Sequence, residues 1–491
     1  MLSIAKYDRF EEVFAGPSAG NPFMEVTFQA CFSCGNRTVY AEGFYDGDDR
    51  YILRMMPDQE GLWYYETTSN VPELSGKKGT FICTPAREGV HGPVCVGSTL
   101  YSPFSEEHKA RTNTRFTYAD GTDYQPVGTT CYAWASQTLA LEEQTLETLR
   151  NAPFNKLRMC VFPKHYAFND NEPLYYAFPG DKENGFDFTR FNPVFFRHLE
   201  MRIEQLGEIG IEADLILWHP YDNWGFSEMS HETDCRYLRY IIARLSSYRN
   251  VWWSLANEWD LLAKKSVTDW DDFFKILCKY DPVRHLRSIH NLKDYYDHHK
   301  PWVTHLSIQG RDLTKVSDLM DTYSKPVIYD ECAYEGDIEH NWGNITALEM
   351  VNRMWEGFAR GAYVGHGETY YNDEEVLWWS KGGKLIGESP KRIAFMREIF
   401  EALPGTPEVM PVAFMMRPCG IHVGKDYYLF YYGSSQQKRQ MVSLPEENNY
   451  RAEIIDVWEC TITEIPGSWS GSCMLPMPGK CYQALRLTKI K

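Results

Sequence analysis

Val251-Trp252-Trp253-Ser254-Leu255-Ala256-Asn257-Glu258 runs a short, largely apolar stretch straight into an amide and a carboxylate. Its length and its aromatic and β-branched content predict a buried strand. Just upstream, Tyr237–Tyr248 carries apolar residues at helical spacing. The same alternation recurs on both sides. Strands are predicted at Pro126–Ala133, Lys156–Phe162, Ala213–His219, Val251–Ala256, Leu286–Asn291, Val303–Ile308, Pro326–Asp330 and Gly361–Gly367. Between them lie helix-length segments. Phe195, Phe196, Leu199, Ile203 and Leu206 fall on one face of a 3.6-residue period, and Ala347–Arg360 behaves similarly. Eight β/α alternations without a Gly-rich phosphate loop predict an α/β fold of the (β/α)8 TIM-barrel type rather than a doubly wound sheet.

The flanks read differently. Phe23–Ala30, Thr38–Tyr45, Tyr51–Met55 and Gly61–Thr67 alternate apolar and polar residues, with turn clusters such as Asp46-Gly47-Asp48-Asp49 between them. After about residue 405, Gly420–Val423, Tyr427–Tyr432, Tyr450–Trp458 and Cys481–Leu487 are again strand-like. The chain of 491 residues exceeds the about 250 that one barrel needs. The predicted division is an N-terminal β-sandwich over residues 1–90, a catalytic barrel over 91–403 and a C-terminal β-sandwich over 404–491.

The formal charge of -17 repels phosphate backbones, so nucleic acid is not expected as a partner. No run approaches the roughly 18 apolar residues of a membrane span. The first residues, Met1–Arg9, lack an apolar segment of secretory length. The 13 cysteines are odd in number and scattered, with Cys31 and Cys34 forming one C-x-x-C that reads as a strand-turn flank rather than a metal site. Both features predict a reduced, cytoplasmic protein. No cofactor and no metal are called for, and a homo-oligomer through the accessory domains is a possible assembly. Aromatic residues make up 15% of the chain, which suits either stacking on sugar faces or aromatic β-rich cores.

In a barrel, chemistry sits at the C-terminal strand ends. Strand four delivers Glu258 there and strand seven, Val327-Ile328-Tyr329-Asp330-Glu331, delivers Glu331. Strands four and seven lie on nearly opposite walls. Two carboxyl groups facing each other across a mouth are what glycosidic hydrolysis needs, one protonated and one ionised, and a gap of about 5–5.5 Å gives retention. Trp252, Trp253 and Trp259 are expected to desolvate Glu258 and keep it protonated. Asp330 is expected to point the other way, by strand alternation.

Asn257-Glu258 ending strand four, with Glu331 ending strand seven, resembles clan A of the glycoside hydrolases. That resemblance implies Glu258 as acid/base, Glu331 as nucleophile and Asn257 as the holder of the sugar 2-hydroxyl. Asn155-Lys156-Leu157-Arg158 resembles the strand-two N-x-x-R of the cellulase-like family 5 enzymes, which implies that Arg158 keeps Glu331 ionised. Leu217–Asn223 resembles their His-bearing strand-three end, which makes His219 a substrate or supporting group. The strand-six H-x-Y of that family is incomplete here. In Thr304–Gln309, His305 matches the His but Ser307 stands at the Tyr position, and Tyr334 is a candidate for the missing phenol.

Glu368, ending strand eight, either binds a sugar hydroxyl or caps a loop. Trp134 after strand one and Trp378-Trp379 after strand eight serve as stacking platforms or as packing. His298-His299 reads as a solvated helix end. Pro163–Phe191, rich in Tyr and Phe, is predicted to wall the pocket. The function so implied is a retaining O-glycosyl hydrolase cleaving β-linkages by an exo action on imported oligosaccharides or glycosides. A non-catalytic carbohydrate-binding barrel and a transglycosylase of the same double-displacement chemistry stand as alternatives.

Overall fold

The computed structural model describes residues 2–97, 114–410 and 418–490. The chain is mixed α/β. Its central region holds eight parallel strands, β1 (Gly128–Thr130), β2 (Lys156–Cys160), β3 (Glu212–Trp218), β4 (Val251–Ala256), β5 (Arg287–Ser288), β6 (Leu306–Gln309), β7 (Val327–Glu331) and β8 (Tyr363–Val364). The first five pair in sequence order, and so do the last three. Two parallel bridges, His290–Ser307 and Thr129–His366, lie between the ladders, beside β5 and β6 and beside β8 and β1. β2, β3 and β4 are buried at every position, the charged Lys156, Arg158, Glu212 and Asp214 included, and β4 reads as a largely continuous apolar run.

Helices α1 (Leu139–Arg150), α2 (Pro193–Glu208), α3 (His231–Leu245), α4 (Val267–Tyr280), α5 (Val316–Tyr323) and α6 (Ala347–Ala359) follow β1, β2, β3, β4, β6 and β7, and α7 (Ser389–Glu401) follows β8. Local sequence sets their starts. Thr138, Asn192, Ser230 and Thr346 each cap an N-terminus through the side chain, and Ser266 and Asp269 form a reciprocal capping box. No described helix joins β5 to β6. His298, expected at a solvated helix end, is instead 1% exposed, and its imidazole is pushed down to about 4 by burial.

The N-terminal region has a five-stranded sheet, ordered Leu2–Ala5, Lys78–Thr84, Gly61–Ser69, Phe28–Cys34, Arg37–Glu42, and a three-stranded one ordered Phe10–Ala15, Arg50–Met55, Phe44–Tyr45. Phe10, Phe32, Leu53, Trp63 and Phe81 share one buried cluster between them. The strand expected to begin at Phe23 begins at Phe28, because Pro22–Glu25 forms a helical turn. Pro22 at its start favours that turn. The C-terminal region has a six-stranded sheet and a two-stranded one, again around a shared core that includes Tyr450, Leu475 and Leu485.

A buried charge cluster joins the N-terminal sheets to the central helices. Arg54, from Arg50–Met55, meets Glu200 of α2 at 2.9 Å. Arg244 of α3 meets Glu200 at 2.5 Å and Asp46 at 2.8 Å.

Candidate functional site

The site is built at the C-terminal ends of the eight parallel strands. Glu258 follows β4 with φ +51, a left-handed conformation that a non-glycine residue rarely adopts. Its carboxylate receives the Tyr221 hydroxyl at Oε2. Gln309, with its amide nitrogen turned inward, donates to Glu258 Oε1 at 3.1 Å. Glu331 ends β7 and receives the Tyr132 hydroxyl at Oε1. Arg158 of β2 reaches Tyr132 Oη at 2.8 Å, Asn257 Oδ1 at 2.9 Å and Glu331 Oε1 at 3.5 Å. His290 Nε2 stands 3.5 Å from the same oxygen.

The two carboxyl groups are 4% exposed each, yet their surroundings drive them apart. Burial alone would raise Glu331, but His290, Arg158 and Tyr132 outweigh it and hold the group down at about 2. Glu258 is raised, first by burial and then by the charge of Glu331, with the Tyr221 hydrogen bond and Lys164 opposing.

Beneath this pair lies an ionic layer. Lys156 of β2 bonds Asp214 of β3 at 2.6 Å and Asp330 of β7 at 2.8 Å. Ser307 donates to Asp330 Oδ2 at 2.5 Å, and its hydroxyl lies 2.9 Å from His290 Nδ1. A chain of contacts thus runs Asp330–Ser307–His290–Glu331. Asp330 therefore faces the same interior as its neighbour, contrary to simple alternation. The β6–β7 register shifts between Ser307 and Gln309, and such an irregularity re-aims side chains.

Of the residues expected at the site, Glu258, Glu331, Arg158 and Asn257 converge. Tyr334 lies beside them and feels the charge of Glu331, but its hydroxyl has no hydrogen-bond partner. Tyr132 supplies the phenol instead. His219 is buried against Phe162 O at 3.2 Å and is pushed down to about 4 by burial, with Lys164 adding to it. For Trp134, Trp378 and Glu368 the structure decides between the alternatives the sequence left open, and it places His305 off the pair. Trp134 is fully buried and donates to Glu142 O at 3.1 Å, so it packs rather than stacks on ligand. Trp378 is equally buried and donates to Thr129 Oγ1 at 2.8 Å, whereas its neighbour Trp379 meets the rings of Tyr132, Tyr166 and Tyr334. His305 packs on Phe116 and Trp252, away from Glu331, and burial pushes it down to about 3. Glu368 turns to Ile386 N–H at 2.7 Å and caps a loop, and burial raises its carboxyl to about 7. Trp252 and Trp253 do not shield Glu258 either. They donate to Glu212 and Asp281.

Lys164, 2% exposed, sits over the rings of Tyr132, Tyr221 and Tyr166 at 3.6, 4.3 and 4.5 Å. Its ammonium is lowered by burial, while Glu258 and Glu331 oppose that. Cation–π contact stabilises such a charge where water is excluded. Nothing in the loop Pro163–Phe191 signals Lys164. Tyr132, Tyr221 and His290 were not singled out either, although each lies within or just past a predicted strand end, which is the signal that could have found them.

Residues 111–402 match the family described as "Apiosidase-like, catalytic domain". Residues 3–70 and 416–488 match two families described only as domains of unknown function. No curated protein matches the chain. Among solved structures, a Bacteroides vulgatus protein provisionally named as a glycoside hydrolase is 40% identical over 100% of both chains, with a TM-score of 0.92. A family 5 glycoside hydrolase from the same organism is 15% identical over 81% of this chain and 93% of its own, with a TM-score of 0.59. A third structure named as a glycoside hydrolase is 14% identical over 81% and 97%, with a TM-score of 0.61. At these last two identities the likeness is one of fold.

Proposed function

The chain belongs to the apiosidase-like family of catalytic domains, within the clan A glycoside hydrolases, and from that premise we propose that it is a retaining, exo-acting β-glycosidase. The carrying observation is the pair of buried carboxyl groups whose acidities are pushed in opposite directions, Glu331 down and Glu258 up. Pairs split in this way mark acid and nucleophile.

In the proposed mechanism Glu331 attacks the anomeric carbon while Glu258 protonates the departing oxygen. Water, deprotonated by Glu258, then releases the sugar from Glu331. Arg158 takes Asn257 Oδ1 and leaves the Asn257 amide nitrogen for a sugar hydroxyl. The strand order and the two bridging pairs support reading the central region as a (β/α)8 barrel. The two flanking pairs of sheets support reading residues 1–90 and 404–491 as sandwiches around a catalytic domain at 91–403. The near-closed setting of both Glu side chains favours a terminal sugar over a polymer interior. No described helix is long and apolar enough to cross a membrane, and the thirteen free cysteines favour a reducing compartment.

A panel of aryl β-glycosides, with apiosides included because of the family's description, tests the reading. Wild type should cleave one of them, and azide should rescue Glu258→Ala to a β-azide. An α-azide would overturn retention. Activity undiminished in both Glu258→Ala and Glu331→Ala would overturn the site. Failure to cleave any member, with binding retained, would favour a carbohydrate-binding role.

The Tyr221 hydroxyl stabilises the charged form of Glu258. Tyr221→Phe should therefore raise the Glu258 pKa. Because Glu258 must carry its proton to act as the acid, the alkaline limb of kcat/KM against pH should move up. A limb that moves down would show that Tyr221 acts otherwise.

A further inference from the structure

Where Glu335 pairs with Glu368 just past β7 and β8, three fully buried side chains meet. Glu335, His366 and Glu368 are each at most 1% exposed, and each offers one donor atom within 4.8 Å of the others. Among the described residues, no lysine or arginine pairs with either carboxylate. Two buried carboxylates without a counter-cation are costly unless something neutralises them.

Glu335 is well supplied with donors. Its Oε1 accepts from the Tyr370 hydroxyl at 3.1 Å and Glu388 N–H at 2.8 Å, and its Oε2 accepts from Ser389 N–H at 3.3 Å. Two other atoms have nothing. Glu368 Oε2 and His366 Nε2 are buried without a hydrogen-bond partner, although Glu368 Oε1 is held by Ile386 N–H and His366 Nδ1 lies 2.9 Å from Thr129 Oγ1. A Cβ placed on Gly387 would stand 2.5 Å from Glu335 Oε1 and 2.6 Å from Glu368 Oε2. The two oxygens thus lean over one bare Cα, in a cradle that any side chain at that position would fill.

Two unbonded ligand atoms and a third carboxylate oxygen within this span suit an interposed ion at about 2.0–2.4 Å from each. Imidazole with two carboxylates is a ligand set for a zinc-class divalent ion. Thr129 orients the imidazole as an outer partner would. We propose that Glu335, His366 and Glu368 bind one zinc-class divalent cation that fastens the segments after β7 and β8 to residues 386–389, the lead-in to α7. The ion is structural and takes no part in the sugar chemistry, so this site stands or falls independently of the glycosidase reading.

The test is metal content and thermal stability of the full-length protein, equilibrated with zinc and then dialysed free of excess. Wild type should retain about one zinc per chain and lose thermal stability on chelation. Glu368→Gln keeps shape and hydrogen bonding but removes the anionic ligand, so bound zinc should fall at least tenfold and chelation should no longer change its melting. His366→Gln should behave alike. Circular dichroism checks whether both variants fold. If either fails to fold, Gly387→Ala, which closes the cradle and keeps all three ligands, should lose zinc instead. Wild type free of zinc and indifferent to chelator would overturn the proposal, leaving a shared proton or a trapped water between the groups. Zinc retained equally by all variants would overturn it too, placing the ion elsewhere.

Discussion

Replacing Glu331 with alanine is expected to lower kcat on the cleaved aryl β-glycoside by about 10⁴-fold or more, or about 5.5 kcal/mol at the barrier. Without the carboxylate no glycosyl ester can form, and both half-reactions are lost together. The same change leaves Arg158 and His290 facing an uncharged space and removes the charge that raises Glu258. The acid is then left weaker at holding its proton as well as without a partner. Glu258→Ala should behave differently. An aryl leaving group of low pKa departs without protonation, so its first step survives while the second stalls. kcat and KM should fall together as the intermediate accumulates. Two variants with the same kinetic pattern would contradict the division of roles. A Glu331→Ala enzyme that keeps a tenth of the wild-type rate would exclude Glu331 as nucleophile.

Lys156→Met should cost about 3–5 kcal/mol of stability, read from the urea transition followed by tryptophan fluorescence. Lys156 is 1% exposed and pairs with both Asp214 and Asp330. Without it, two like charges remain in a space from which water is excluded. The pH dependence carries a sign. In wild type, Lys156 and Arg158 depress Asp330 against the effect of burial. That contribution is therefore present above the unfolded pKa of an aspartate, about 3.9, and lost as pH falls through the depressed folded value. In Lys156→Met, Asp330 loses the first of the groups that lower it and Asp214, already raised by burial in wild type, is raised further, so the variant should regain stability as pH falls from neutral towards about 5. Adding Asp214→Asn and Asp330→Asn should restore much of the loss at neutral pH. A loss below about 1 kcal/mol would mean that the layer is wet or otherwise compensated.

The strand positions were legible because the central strands are short, rich in apolar residues and separated by helix-length segments, β4 most plainly. β4 was placed at its observed limits. The carboxylates were legible for a related reason. Each ends such a run, where a charged residue has no structural use. What the sequence concealed is the surroundings. Asp330 was misplaced because period-two alternation fails at the irregular β6–β7 pairing. Tyr132 was passed over for Trp134, two residues on, and Trp378 and Trp379 were named together, since the sequence does not say which of two near neighbours turns inward. Lys164 comes from a long loop without periodicity, and only the folded chain brings it over three phenol rings. Glu335 was not singled out at all. Its interest arises from His366 and Glu368, thirty-odd residues away, and from a glycine that leaves room above it.

The Arg54–Glu200–Arg244–Asp46 cluster bears on how this protein could have been assembled in evolution. A detachable accessory module meets its host through a surface that either side can present alone to water. Here each side supplies part of one charge-neutral set, and Arg244 is fully buried by its neighbours. Cut away from the first ninety residues, the central region would expose Glu200 and Arg244 with half their partners gone. A transplant onto a different host would need Glu200 and Arg244 to travel with the two sheets. A recombination break between the N-terminal and central regions would therefore leave Glu200 and Arg244 paired with each other but each short of its partner from the first ninety residues.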